Sequence, residues 1–166
     1  TLFRSGFCNE KFYNGELIPL TENNIDNPLM VYKTVEGNHA RGKFNQRELD
    51  VIFDEVIPKE NLQNLNESIG IISPYRLQAN EVKKYIGDLD IESDTVHKFQ
   101  GREKDNIIIS TVSNEMNDFV DDPNLINVAV SRAVNRLILV VSGNKEFIET
   151  NSNIGDLIKI GRAHVW

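Results

Sequence analysis

A single α/β domain, a mostly parallel sheet covered by helices on both faces, is the fold that the 166-residue sequence predicts. Three observations point to it. Runs rich in β-branched residues, such as residues 69–73, 107–109 and 137–141, read as strands buried on both faces. They alternate with stretches whose apolar residues recur at three and four positions, the pattern of amphipathic helices. The length suits one domain, because a chain of about 150 residues buries roughly 70% of its unfolded surface, and no repeat, low-complexity tract or linker interrupts residues 6–159.

Taken in order, the segment FCNEKFYNGEL (residues 7–17) carries apolar residues at helical spacing and meets Asn14 and Gly15, a helix stop. Residues 28–35 read as a strand, and the polar residues 37–43 as a loop. A helix is expected over 45–56, because Leu49, Ile52, Phe53 and Val56 share a face and Asn45 with Glu48 resembles a capping box. Pro58 should end it. Strand 69–73 then leads into a helix over 75–86 that carries Leu77, Val82, Tyr85 and Ile86. Further strands are predicted at 91–96, 106–112 and 137–142, with a helix at 124–133 before the last.

The formal charge of -7 argues against a broad basic face that would bind nucleic acid without regard to sequence. Any such ligand must be held locally, by hydroxyls, backbone amides and a few cations. Lone Cys8 cannot form an internal disulfide, and three scattered histidines make no zinc pattern, so no metal site is expected. No apolar run approaches the roughly 20 residues of a membrane span, and no secretory signal opens the chain. A soluble, cytoplasmic protein is therefore expected. Both ends carry a separate signature: TLFRS (residues 1–5) and IGRAHV (residues 160–165) translate the two flanks of a common sequencing adapter, in the right order. The domain is accordingly expected to occupy residues 6–159, with 1–5 and 160–166 set aside as adapter-encoded.

Chemistry in doubly wound domains gathers where strands end, and three polar motifs lie at or near such ends. They are SPYRLQ (residues 73–78), TVHKFQGREKD (residues 95–105) and NVAVSRA (residues 127–133). His97 has no second ligand beside it in sequence, which favours a structural or coupling role over a metal. The acidic run Asp118, Asp121 and Asp122 is followed by Pro123 and reads as a solvated loop capping the next helix.

In order and spacing, these motifs resemble the ITPYxxQ, TVxxFQGxExD and NVAxSRA segments of superfamily 1 helicases, in the branch that contains the nonsense-mediated-decay helicase. VVSGN (residues 140–144) resembles the bacterial members, and FCNEKFYNGEL resembles the lead-in to the family's second core domain, so the likeness spans nearly all of residues 7–144. The resemblance implies a single RecA-like domain, a P-loop NTPase fold without the P-loop, from an ATP-dependent helicase. Nucleotide hydrolysis needs cations where charge spreads over the transferring phosphoryl group. Arg132, with five donors suited to phosphate oxygens, would be the arginine finger. Glu103 would lie near the γ-phosphate and attacking water, Gln100 would couple nucleotide state to nucleic acid, and Gly101 would let the backbone approach the nucleotide. Thr95, Tyr75, Arg76 and Gln78 would meet a single-stranded or duplex nucleic acid.

No GxxxxGK[ST] occurs, nor an acidic Mg²⁺ motif at a strand end. ATP and Mg²⁺ would therefore be held mainly by a preceding RecA-like domain of the same chain, and these residues alone should not hydrolyse ATP. Two other classes stay open. One is a noncatalytic α/β module that binds a nucleotide or a protein. The other is a small nuclease using Glu103 and Asp105 beside Lys104, which lacks a second set of carboxylates.

Overall fold

The structure, a computed structural model, describes residues 29–35, 43–99, 102–113, 117, 120–142, 152–160 and 162–165. Its strands are β1 (Leu29–Thr34), β2 (Ile69–Ser73), β3 (Ile91–Thr95), β4 (Lys104–Ser110), β5 (Ala133–Ser142) and β6 (Arg162–Val165). They form one sheet in the order β3-β2-β4-β5-β1-β6, with every neighbouring pair parallel. The predicted helix end at residues 7–17, most of the predicted loop, Gln100, Gly101 and Asp118 lie outside the described residues.

Side chains alternate across the sheet and build a core on each face. Leu29, Val31, Ile107, Ile109, Leu137 and Leu139 pack on one side with Ile126 and Val130 of α4 (Pro123–Arg132), Ile154 of α5 (Asn153–Ile160) and Phe99. Met30, Tyr32, Ile71, Ile108, Ile138 and Val140 pack on the other with Leu49 of α1 (Gln46–Val51), Ile57 of α2 (Ile57–Lys59) and Val82 of α3 (Arg76–Lys83). This is the three-layer α/β domain that the sequence predicts.

Several boundaries differ, each for a physical reason. The helix begun at Asn45 does not end at Pro58. It passes through a π-turn at Ile52–Val56, where Ile57 N–H reaches Ile52 O, and runs to Lys59. A widened turn accommodates a proline that has no N–H and a ring that crowds the preceding turn. Asn61, at φ 56°, then takes the chain out of the helix. The strands β4 and β5 start earlier than their apolar runs, because polar residues at their beginnings also pair: Lys104 with Ala133 and Asn106 with Arg136. Glu67 clamps this end, accepting from Asn106 Nδ2 at 2.9 Å, Asn135 Nδ2 at 3.2 Å and Arg136 Nη1 at 2.9 Å.

Helix α5 was not anticipated from sequence. Its first turn is capped from a distance, with Asp121 Oδ1 accepting from Ile154 N at 2.9 Å and Oδ2 from Asn153 N at 3.2 Å. The carboxylate of Asp121 thus caps α5, not the next helix, α4. Strand β6 falls within the residues set aside as adapter-encoded and lies along β1.

Candidate functional site

Each strand from β1 to β5 ends on a hydroxyl: Thr34, Ser73, Thr95, Ser110 and Ser142. Above this edge lies a groove of about 730 Å³ lined by Lys43, Pro74, Tyr75, Arg76, Leu77, Thr95, His97 and Asn117. Ser73 Oγ accepts from Tyr75 N at 3.2 Å, which fixes the turn into α3 and presents Tyr75 and Arg76 to the groove. Asn117 Nδ2 approaches Tyr75 Oη at 3.5 Å and Ser113 Oγ at 3.3 Å from the facing loop. The groove therefore offers two cations, a phenol ring, a hydroxyl and an imidazole along one strip. Sequence reading singled out Tyr75, Arg76 and Thr95 for this surface and missed Lys43 and Asn117, which have no motif context. His97, read as structural or coupling, is exposed on the groove wall.

Gln78 is corrected. It is fully buried, and its amide is spent within the fold. Its Oε1 accepts from Asn45 N at 2.9 Å, while Nε2 donates to Asn45 O at 3.2 Å and to Ser110 Oγ at 3.0 Å. It anchors α3 from beneath and does not line the groove.

Beneath the groove these bonds join a buried cluster around Glu48. Asn45 Oδ1 accepts from Glu48 N at 3.2 Å, as a helix cap should. The Glu48 side chain does not return to Asn45 N, whose partner is Gln78, but turns inward. Its Oε1 accepts from Ser110 Oγ at 2.8 Å and Val112 N at 3.0 Å, and its Oε2 from Ser142 Oγ at 2.7 Å and Asn45 Nδ2 at 3.1 Å. Complete burial pushes the carboxyl up to about 7, against the opposing pull of hydrogen bonds from Val112, Ser142 and Ser110.

The third motif lies at the opposite edge. Convergence of all three motifs on one crevice was the expectation; the topology divides them. A parallel connection must carry the chain from the end of β3 back to the start of β4, so Glu103 precedes β4 and Arg132 precedes β5. Because Lys104 pairs with Ala133, Glu103 and Arg132 adjoin paired positions on neighbouring strands. Glu103 is exposed and Arg132 partly buried. Among the described residues the other cations here are occupied: Arg136 by Glu67 at 2.9 Å, Lys104 by Glu92 at 2.8 Å, and Arg102 by Glu92 while lying 5.0 Å over the Phe99 ring. In contrast, Arg132 Nε is buried and has no hydrogen-bond partner among the described residues. Ser131 Oγ donates back to Val128 O at 2.9 Å. Among the described residues no group of three His, Cys, Asp or Glu could hold a metal ion, and no helix is long and apolar enough to cross a membrane.

Residues 5–145 match the family described as AAA domain. The chain is 42% identical over 121 residues to the DNA polymerase alpha-associated DNA helicase A of Saccharomyces cerevisiae, covering 67% of this chain and 17% of that protein. It is 28% identical over 184 residues to an uncharacterized ATP-dependent helicase of Methanocaldococcus jannaschii, covering 95% of this chain and 27% of the other. Helicase sen1 of Schizosaccharomyces pombe is 30% identical over 190 residues, covering 93% of this chain and 11% of its own length. The chain thus spans from about a tenth to about a quarter of these relatives. In fold it is similar to the C-terminal domain of a possible DNA helicase from Lactobacillus plantarum, with a TM-score of 0.54 and 17% identity over 87% of this chain and 86% of that one.

Proposed function

Since this chain belongs to the AAA domain family and is the second RecA-like core domain of a superfamily 1 helicase, we propose that in its parent protein it supplies an arginine finger, one wall of an ATP cleft and part of a single-strand-binding surface. The observation that carries this reading is Arg132. Leaving a buried donor without a partner costs on the order of 1–3 kcal/mol, so an edge that occupies its other cations yet keeps Arg132 Nε unbonded is suited to an anionic ligand. Its planar donors match phosphate oxygens, and Glu103 at the adjoining strand start is suited to orient a water.

Bound ATP and Mg²⁺ would supply the transferable phosphoryl group and the metal charge that neutralises it. Most of their contacts would come from the preceding RecA-like domain, with Arg132 and Glu103 contributed from this side. Arg132 would hold its positive charge against the oxygens on which negative charge grows, an effect worth roughly 10³ to 10⁵ in rate. Gln100 and Gly101 are assigned here to coupling and to close backbone approach.

The groove suits a nucleic-acid strand: Lys43 and Arg76 for phosphates, the Thr95 hydroxyl for a phosphate oxygen, and the Tyr75 ring as a stacking face. Such local holding is consistent with a chain of net charge -7. The test is Arg132→Ala in the parent helicase, which should lower ATP turnover at least about a thousandfold and leave ATP binding intact. Turnover retained by that variant would rule out the assignment.

A further inference from the structure

The two walls of the groove meet underneath it. One wall is Pro74 to Leu77, at the start of α3; the other carries Asn117, whose Nδ2 donates to Ser113 Oγ. Ser110 Oγ accepts from Gln78 Nε2 at 3.0 Å and donates to Glu48 Oε1 at 2.8 Å, so a single hydroxyl ties the α3 wall to the buried carboxyl. Val112, two residues after Ser110, sits at φ 69°, in the left-handed region where a β-branched residue is a genuine outlier. Such a conformation persists only where the surroundings over-determine it. Here both backbone groups of Val112 are held from below, its N–H by Glu48 Oε1 at 3.0 Å and its carbonyl by Asn45 Nδ2 at 2.8 Å. The next residue, Ser113, accepts from Asn117 Nδ2 at 3.3 Å, and Asn117 lines the groove. Lys43, on the rim, is two residues before Asn45.

We propose that Glu48 is a positioning residue for the groove, fixing the α3 wall and the Asn117 wall relative to each other without touching the ligand. The inference rests on the groove being a nucleic-acid surface. Its chemistry is unusual for a structural post. A fully buried carboxyl surrounded by neutral partners is costly, and an apolar side chain could fill the same volume. Among the described residues no charged side chain bonds to it: the partners are Asn45 at the start of α1, Ser110 of β4, Ser142 of β5 and the backbone of Val112 after β4. What a carboxylate offers here, and an apolar group does not, is four acceptor contacts that draw three segments to one point.

The test measures binding of fluorescein-labelled oligothymidylate to the 166-residue chain by anisotropy across a salt series. The variants are Glu48→Gln, Ser110→Ala and Arg76→Ala, each first checked for native circular dichroism. Glu48→Gln and Ser110→Ala should each weaken binding roughly tenfold, the equivalent of about 1.4 kcal/mol, with the salt slope unchanged because no phosphate contact is lost. Arg76→Ala should instead flatten the slope by about 0.7, one single-strand phosphate contact. Ser110→Ala keeps the question open to measurement if Glu48→Gln fails to fold, since it cuts the same link with little change in volume. Binding within about twofold of wild type in the folded variants, alongside a weakened Arg76→Ala, overturns the positioning role. Failure of the wild type to bind, or an Arg76→Ala variant indistinguishable from it, overturns the groove reading and the positioning role together.

Discussion

Replacing Glu48 with glutamine removes a buried ionisation and should change how stability depends on pH. In the folded domain burial raises the Glu48 carboxyl to about 7, from an ordinary value of 4.5. The folded state therefore holds a proton that the unfolded chain has already released across that interval. Stability contributed by this group is fully present below the unfolded value and is lost as pH rises through the folded one. At about 1.36 kcal/mol per unit, the loss between pH 4 and pH 8 is about 3 kcal/mol. Glutamine cannot titrate, so the variant lacks this component while every other group contributes equally to both proteins. Urea denaturation of each protein, followed by far-ultraviolet circular dichroism at several pH values, isolates the difference. The advantage of wild type over Glu48→Gln should shrink by about 3 kcal/mol from pH 4 to pH 8, a shift of roughly 1–2 M in relative midpoint for an m of about 2 kcal/mol/M. A constant difference across that range would mean that Glu48 titrates alike in both states, and the account of its burial would be wrong.

Two other perturbations probe how the domain supports its edges. A methyl group added at Gly70 would lie 2.8 Å from Phe99 Cε1 and 2.9 Å from Ile107 Cδ1, so Gly70→Ala should destabilise the fold by about 1–3 kcal/mol; an unchanged melting temperature would show that Phe99 moves aside freely. Asp121→Ala removes both carboxylate contacts to the first turn of α5 and should cost about 1–2 kcal/mol, with faster amide exchange at Asn153 and Ile154 as the local readout and unchanged exchange there as the contrary result.

The regular elements were legible because their signals are local. Residues 69–73 carry the apolar β-branched run of a buried strand, and β2 occupies that span. Asn45 and Glu48 are spaced as a cap, and the bond from Glu48 N to Asn45 Oδ1 is present. The inward turn of the Glu48 side chain was not legible, since its partners Ser110 and Ser142 lie 62 and 94 residues away. Gln78 was misplaced for a related reason. The inner face of α3 carries Gln78, Ala79 and Val82, whereas Tyr85 is 42% exposed and stacks on Phe53 at 5.5 Å. A buried glutamine with all its polar atoms satisfied looks, in sequence, like a polar residue awaiting a ligand. The division of the motifs between two edges depends on strand order, which no local pattern encodes.

That division gives the connection between the edges its mechanical meaning. Thr95 pairs with Ser73, and Ile72 with Ile109, so Thr95 is level with Ser110 and six rises beyond Lys104. At about 3.3 Å per residue this is about 20 Å along the strands, and with β2 standing between β3 and β4 the diagonal is about 22 Å. Nine virtual bonds must cover it. Three of them lie within the 3₁₀ turn Val96–Phe99, with a rise of about 2 Å each, which leaves a total reach of at most about 27 Å. The chain must also pass over the sheet face, where Phe99 is seated against Gly70 and is fully buried. At most about 5 Å of slack remains. The Phe99 seat fixes the middle of the connection, whose two ends are Thr95 in the groove and Lys104, next to Glu103, at the start of β4.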